Sequence, residues 1–169
     1  KHHFTISSSP TENFFQFTTI YREESEYKRT LFDMKPGDKV EISGPFGSFV
    51  LNPAETKPQL FIAGGIGITP FRSMLKYNLD KKLNLPIVLV YSVKTKSEGA
   101  FASYLPALVV ESATQGRLDK AQITQLVPDY AARTWWICGP PAMVETFVGL
   151  AQKVGVSPEK IKSEEFTGY

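Results

Sequence analysis

The sequence predicts an α/β domain, built as a parallel sheet with helices on both faces, preceded by a partial antiparallel β-barrel. Three observations carry this. From residue 59 onward, short apolar strands alternate with helical stretches, the pattern of a parallel sheet covered on both sides. Before residue 53, short β-branched or aromatic runs are separated by turn residues, with the spacing of a small barrel or sandwich. Two later strands also end alike. Phe61-Ile62-Ala63 runs into Gly64-Gly65-Ile66-Gly67-Ile68-Thr69-Pro70, and Trp135-Trp136-Ile137-Cys138 runs into Gly139-Pro140-Pro141.

In chain order, the first region holds apolar runs at 4–6, 14–20, 39–42 and 49–51, separated by Ser-Ser-Ser-Pro, Lys-Pro-Gly-Asp and Gly-Pro-Phe-Gly. In Lys35-Pro36-Gly37-Asp38, proline supplies the fixed φ of a turn and glycine tolerates positive φ. A polar, proline-flanked linker, 52–58, closes the region, so the chain divides into residues 1–53 and 54–169. The second region predicts strands at 59–63, 87–92, 108–111, 134–138 and 161–165. Helices are expected at 70–77, 99–105, 120–126 and 141–154.

Composition bounds the partners. The 169 residues suffice for one full domain and part of another, and 42% hydrophobic with 21% charged residues is ordinary globular usage. A net charge of +2, with no run of five like charges, implies neither nucleic acid nor an anionic membrane surface. The single cysteine excludes an internal disulfide and points to a reducing, cytoplasmic setting. No apolar stretch approaches the ~20 residues that span a bilayer, and no signal-peptide pattern opens the chain. A start at Lys1 without methionine reads as a fragment of something longer.

The two glycine turns are the chemically informative features. A helix N-terminus offers unpaired N–H groups and partial positive charge, which suit phosphate, and proline fits its first turn because it lacks an N–H the helix would not use. Ligands of open α/β sheets bind at the carboxyl ends of the strands, where both turns lie. The first turn departs from G-x-G-x-x-G, so that fingerprint does not apply. No Ser/His/Asp constellation and no metal-ligand spacing occurs, and His2 and His3 are adjacent, poor geometry for one metal.

The order Gly-Pro-Phe-Gly-Ser-Phe, Gly-Gly-Ile-Gly-Ile-Thr-Pro, Cys-Gly-Pro-Pro-Ala-Met and a terminal Glu-Glu-Phe-Thr-Gly-Tyr closely resembles ferredoxin–NADP⁺ reductases and related flavin reductases, over nearly the whole chain. The resemblance implies an FAD-binding barrel followed by an NAD(P)-binding domain, and electron transfer between NAD(P)H and a carrier through FAD. It starts almost at the first residue, whereas relatives have several earlier barrel strands, so an N-terminally truncated relative of a longer parent is expected.

Site residues follow from the same resemblance. His2-His3-Phe4-Thr5 stands where the family has Arg-x-aromatic-Ser/Thr: Phe4 would pack on the flavin, Thr5 would approach its N5, and His2 replaces an arginine that pairs with the pyrophosphate. Imidazole lacks the guanidinium fork, which implies weaker FAD binding. Tyr27, Lys28 and Arg29 match the pyrophosphate segment, expected just before a short helix. Gly64, Gly65, Gly67, Thr69 and Pro70 match the nicotinamide-side loop, with Gly139, Pro140 and Pro141 opposite. Ser92, Lys94 and Arg117 match positions that hold an adenosine 2′-phosphate, although Ala113 stands where NADP-specific relatives often have arginine. NADP(H) or NAD(H) is therefore open. Cys138 matches the cysteine beside the nicotinamide, and Glu164-x-Phe166 the Glu-x-aromatic ending whose ring covers the flavin, with Tyr169 the second candidate for that ring. The implied acceptor is an electron-carrier protein or a fused redox domain, at the cytoplasmic face of a membrane or free of it. The alternative is a non-catalytic nucleotide-binding or interaction domain that has lost full FAD binding.

Overall fold

The computed structural model describes residues 2–167. Five parallel strands form one sheet: β1 (Gln59–Gly64), β2 (Ile87–Val93), β3 (Ala107–Glu111), β4 (Thr134–Gly139) and β5 (Ile161–Glu165), in the order β3-β2-β1-β4-β5. The helices are α1 (Glu26–Asp33), α2 (Thr69–Asp80), α3 (Ser112–Gln115), α4 (Lys120–Leu126) and α5 (Pro141–Lys153). β1 is central, and the strand order reverses between it and β4. The crevice of such a sheet lies at this reversal, beyond the strand ends.

Strand period explains the layering. Successive side chains point to opposite faces. Phe61, Ala63, Leu89, Tyr91, Trp136 and Cys138 therefore share one face, where Phe71 and Met74 of α2 cover them together with Leu51 and Phe49. Leu60, Ile62, Val90, Trp135 and Ile137 share the other, beneath Ile123 of α4 and Val144, Phe147 and Ala151 of α5. Both β1 and β4 are buried along their whole length, as strands covered on two faces must be. Two buried indoles fill the middle, and each N–H has a partner: Trp136 Nε1 donates to Gln59 Oε1 at 2.7 Å and Trp135 Nε1 to the Tyr130 carbonyl at 2.8 Å.

Two expectations from the sequence are corrected. Residues 99–105 form successive turns, not a helix: Phe101 adopts φ +64°, a left-handed conformation that a helix cannot carry. Ala102 N donates to Gly99 O, and Leu105 N to Phe101 O. The expected strands at 14–20, 39–42 and 49–51 are not formed among the described residues of the first region, where one antiparallel bridge, Ile6 with Phe17, occurs. A strand is held by neighbours on its edges, and beyond the Ile6–Phe17 bridge no further ladder forms here among the described residues; short ribbons alone are marginal in water. The first region instead lies on the α2 side of the sheet. Phe49 packs edge-on against Phe71 and Trp136, with centroids 5.8 and 5.0 Å away.

Candidate functional site at the strand ends

The turn after β1 is a single-turn 3₁₀ helix, Gly65–Ile68, which continues into α2 with Pro70 in its first turn. Glycine is required here by contact. A Cβ on Gly67 would lie 2.3 Å from the Cys138 carbonyl oxygen, and one on Gly64 would lie 2.3 Å from Met143 Sδ. A Cβ on Gly139 would meet the Gly64 backbone at 3.1 Å. The two glycine turns, far apart in sequence, thus touch backbone to backbone. Gly65 differs: it is exposed, has φ +51°, and its missing Cβ faces open space. A flat ring can approach the main chain there.

Register brings the remaining groups to the same edge. Ala63 pairs with Cys138, Cys138 with Glu164, and Gly139 with Glu165. Phe166 N donates to the Gly139 carbonyl at 2.9 Å, which ties the C-terminal segment to the second turn. Pro140 is the N-cap of α5 and Pro141 its first residue. Cys138 is fully buried. Burial pushes its thiol pKa up, and Glu164 pushes it further, so it is a neutral S–H with no thiolate character. Burial also raises the Glu164 carboxyl, which is half-buried. Phe166 is 9% exposed and belongs to the same apolar cluster as Cys138 and Trp136, at its edge toward β5.

Ser92 pairs with Gly64 in the β1–β2 register, so it stands beside the first glycine turn. Lys94 follows at the end of β2, exposed, and its carbonyl accepts from Ala113 N at 3.0 Å in α3. That bond draws the loop carrying Arg117, also exposed, toward Lys94. Lys94 thus lies just past the carboxyl end of β2, and Arg117 follows α3, which comes directly after β3.

The second cluster comes from the first region. His2 stacks on Tyr27 with ring centroids 3.8 Å apart, Phe4 stacks on Tyr27 at 6.0 Å, and Lys28 Nζ lies 5.5 Å from the Phe4 ring centre. Lys28 also bonds to Thr19 Oγ1. Ser25 caps α1, its hydroxyl accepting from Lys28 N at 3.3 Å, so Tyr27, Lys28 and Arg29 form the first turn of that helix instead of preceding one. Arg29 bonds to the Glu23 carbonyl. Burial lowers the Lys28 pKa. Thr5 is half-buried between Phe4 and the bridged Ile6. The structure brings Gly64, Gly67, Cys138, Gly139, Glu164 and Phe166 to one strand edge and His2, Phe4, Tyr27 and Lys28 into one cluster, while Tyr169 lies outside the described residues. Arg72 and Glu12, which join the first region to α2, were absent from the sequence-derived set, and no short motif marks them.

The fold has known relatives. Residues 61–111 match the family model of the oxidoreductase NAD-binding domain. The chain is 33% identical over 143 residues to an NADPH oxidoreductase of Mycobacterium tuberculosis, covering 79% of this chain and 37% of that protein. It is 28% identical over 185 residues to flavohemoprotein A of Dictyostelium discoideum, covering 97% of this chain and 46% of that one. Among solved structures, an Amycolatopsis cytochrome P450 reductase aligns over 98% of this chain and 56% of its own, with a TM-score of 0.79 and 25% identity. The chain spans less than half the length of these curated relatives. The resemblance of this chain to ferredoxin–NADP⁺ reductase-like flavin reductases is thereby shown, over a stretch that makes up part of each relative.

Proposed function

We propose that this chain is the reductase module of a longer oxidoreductase and passes electrons from NAD(P)H, through FAD, to an electron-carrier protein or a fused redox domain. Relatives supply context: a naphthalene dioxygenase ferredoxin–NAD(P)⁺ reductase component of Pseudomonas putida is 28% identical, and an aromatic O-demethylase reductase subunit of Amycolatopsis 31%. The observation that carries the reading is the backbone contact between the Gly64–Gly67 and Cys138–Gly139 turns at the point of strand reversal. Residues 1–53 would contribute the flavin side as part of a barrel, and residues 54–169 the nucleotide side. No helix among the described residues is long and apolar enough to cross a membrane. We place the module on the cytoplasmic side, in line with its unpaired cysteine.

The residues present fit both groups. Exposed Gly65 offers a main chain open to a flat nicotinamide, between Thr69-Pro70 on one side and Cys138 on the other. Ser92, Lys94 and Arg117 would take the adenosine end, with Lys94 and Arg117 reading a 2′-phosphate. His2, Phe4 and Tyr27 form a stack of aromatic rings that a further ring could extend, and Lys28 and Arg29 at the start of α1 have the charge for a diphosphate.

When bound, nicotinamide and flavin would supply hydride exchange and single-electron release; the protein's part is placement and exclusion of water. The neutral Cys138 thiol closes the floor of the crevice without offering a nucleophile. Glu164, its carboxyl pKa raised by partial burial, stands beside Cys138 in strand register. Gly139, Pro140 and Pro141 keep the wall rigid. Phe166, anchored through its own N–H to Gly139, borders the place a ring must enter.

The test is spectroscopic. Protein produced with the remainder of its parent chain should purify yellow and bleach on anaerobic addition of NAD(P)H. Colourless protein that cannot be reconstituted with FAD would favour an interaction domain instead. Within an active protein, Lys94→Ala should weaken NADPH far more than NADH, and equal loss for both would remove Lys94 from the 2′-phosphate site.

A further inference from the structure

We propose that Arg72 is a positioning residue that joins the flavin-side arm carrying Thr5, the helix behind the glycine turn, and the loop after β2 into one rigid frame. The inference rests on the reading above, because it concerns how the two cofactor sides are held at a fixed distance.

Arg72 lies on α2, two residues beyond Pro70, and is only 8% exposed. A buried guanidinium is costly unless its donors are used. Here they are. Nη1 donates to the Ser7 carbonyl at 3.1 Å, Nη2 to Glu12 Oε1 at 2.8 Å, and Nη1 also to Glu12 Oε2. Nε donates to the Tyr104 hydroxyl at 3.2 Å, and the Phe101 ring centre is 5.9 Å from the guanidinium carbon. Glu12 is pre-set for the fork, since its Oε2 accepts from Ser9 N at 2.7 Å. The Arg72 bond holds the Glu12 carboxyl below the usual carboxylate range, so the pair stays ionised. Next door, Ser73 Oγ donates to the Ser8 carbonyl at 2.8 Å.

The three segments that meet at this guanidinium all border the candidate site. Ser7 follows Thr5 by two residues and Arg72 follows Pro70 by two, so at most about 7 Å of chain separates the frame from Thr5 and about 3 Å of helix rise separates it from Pro70. Phe101 and Tyr104 belong to the loop that follows Ser92 and Lys94. Stability alone does not call for such a group, because buried ion pairs are commonly matched by apolar residues of similar size. A planar fork adds direction: it bonds two carboxylate oxygens and a carbonyl at once and permits one relative position of arm and helix. Transfer between stacked rings is sensitive to that position, since a misplacement of ~1 Å can cost ~100-fold in rate.

The experiment uses flavin-loaded protein and two variants, Arg72→Met and the milder Glu12→Gln, with Arg72→Lys as partial rescue. Stopped-flow flavin reduction should slow by about tenfold or more in Arg72→Met. The dissociation constant for NAD(P)H should change little, and Arg72→Lys should fall between. Combined with Glu12→Gln, Arg72→Met should add little further loss. In parallel, amide hydrogen exchange should speed up together in residues 7–12 and 99–105 of Arg72→Met while β2 stays protected. An unchanged reduction rate, losses that add in the double variant, or exchange that rises in only one of the two segments would each overturn the proposal. A wild type that binds no flavin would defeat the functional reading instead, and the exchange data would still decide whether Arg72 joins the segments.

Discussion

The two regions of this chain have similar local sequence character and opposite structural outcomes. Residues 59–167 form a five-stranded sheet whose central strands are wholly buried, with Leu60, Phe61, Ile62, Trp135 and Ile137 at 0% exposure. Residues 2–58 carry equally apolar runs, yet Phe15 and Phe46 are each 77% exposed and Val50 68%. Composition does not explain this. A parallel strand in a doubly covered sheet finds two strand neighbours and two helical faces within its own region. An antiparallel run of barrel type depends on closure by other strands, and an unclosed edge leaves both hydrogen bonds and side chains unsatisfied. What holds the first region in place here is its seam with α2: Arg72 with Glu12 and Ser7, Ser73 with Ser8, and Phe49 between Phe71 and Trp136.

Substitutions test this contrast directly. The largest effect is expected at Gly67. Its Cβ would collide with backbone that cannot yield, so Gly67→Ala should cost about 3 kcal/mol or more in urea unfolding. The analogous Gly47→Ala, where nothing lies within 4 Å, should cost about 1 kcal/mol through its φ of +99° alone. Comparable losses at both would erase the distinction between the regions. Phe61→Ala should match Gly67→Ala, at about 3–5 kcal/mol, against roughly 0.5 kcal/mol or less for Phe15→Ala.

The smallest effect is electrostatic and belongs to the seam. The Arg72 bond lowers the Glu12 pKa below its unfolded value. Its contribution is therefore fully present above the unfolded carboxylate pKa of about 4.3 and is lost as pH falls through the folded value. Acid titration should loosen residues 7–12 before the sheet unfolds, visible as early loss of amide protection at Ser7 and Glu12. Glu12→Gln should flatten that phase. Simultaneous loss across both regions would mean the seam has no separate stability.

Much of the nucleotide half was legible in the sequence. The strands at 59–64, 87–93, 134–139 and 161–165 lie within a residue of expectation at each end, because continuous apolar runs bounded by glycine and proline have few other solutions. The helix expected at 99–105 failed for a local reason: Ala100, Phe101 and Ala102 suit a helix, but the chain reverses at Phe101. The candidate site divides in the same way. Gly64, Gly67, Cys138 and Gly139 announce themselves as strand-end motifs, whereas Arg72 and Glu12 belong to no motif and sit 60 positions apart.

The sequence by itself determined the alternation of strand and helix, the two glycine turns, and the aromatic and cationic residues of the first region. Periodicity and turn chemistry are local, and each can be read within a window of a dozen residues. Only the tertiary structure decided that Gly67 rests on the Cys138 carbonyl, that Glu164 pairs in register with Cys138, and that a single guanidinium holds Ser7, Glu12 and Tyr104 together. Those relations depend on strand order and on which helix face meets which loop, and neither is encoded in any contiguous stretch of the chain.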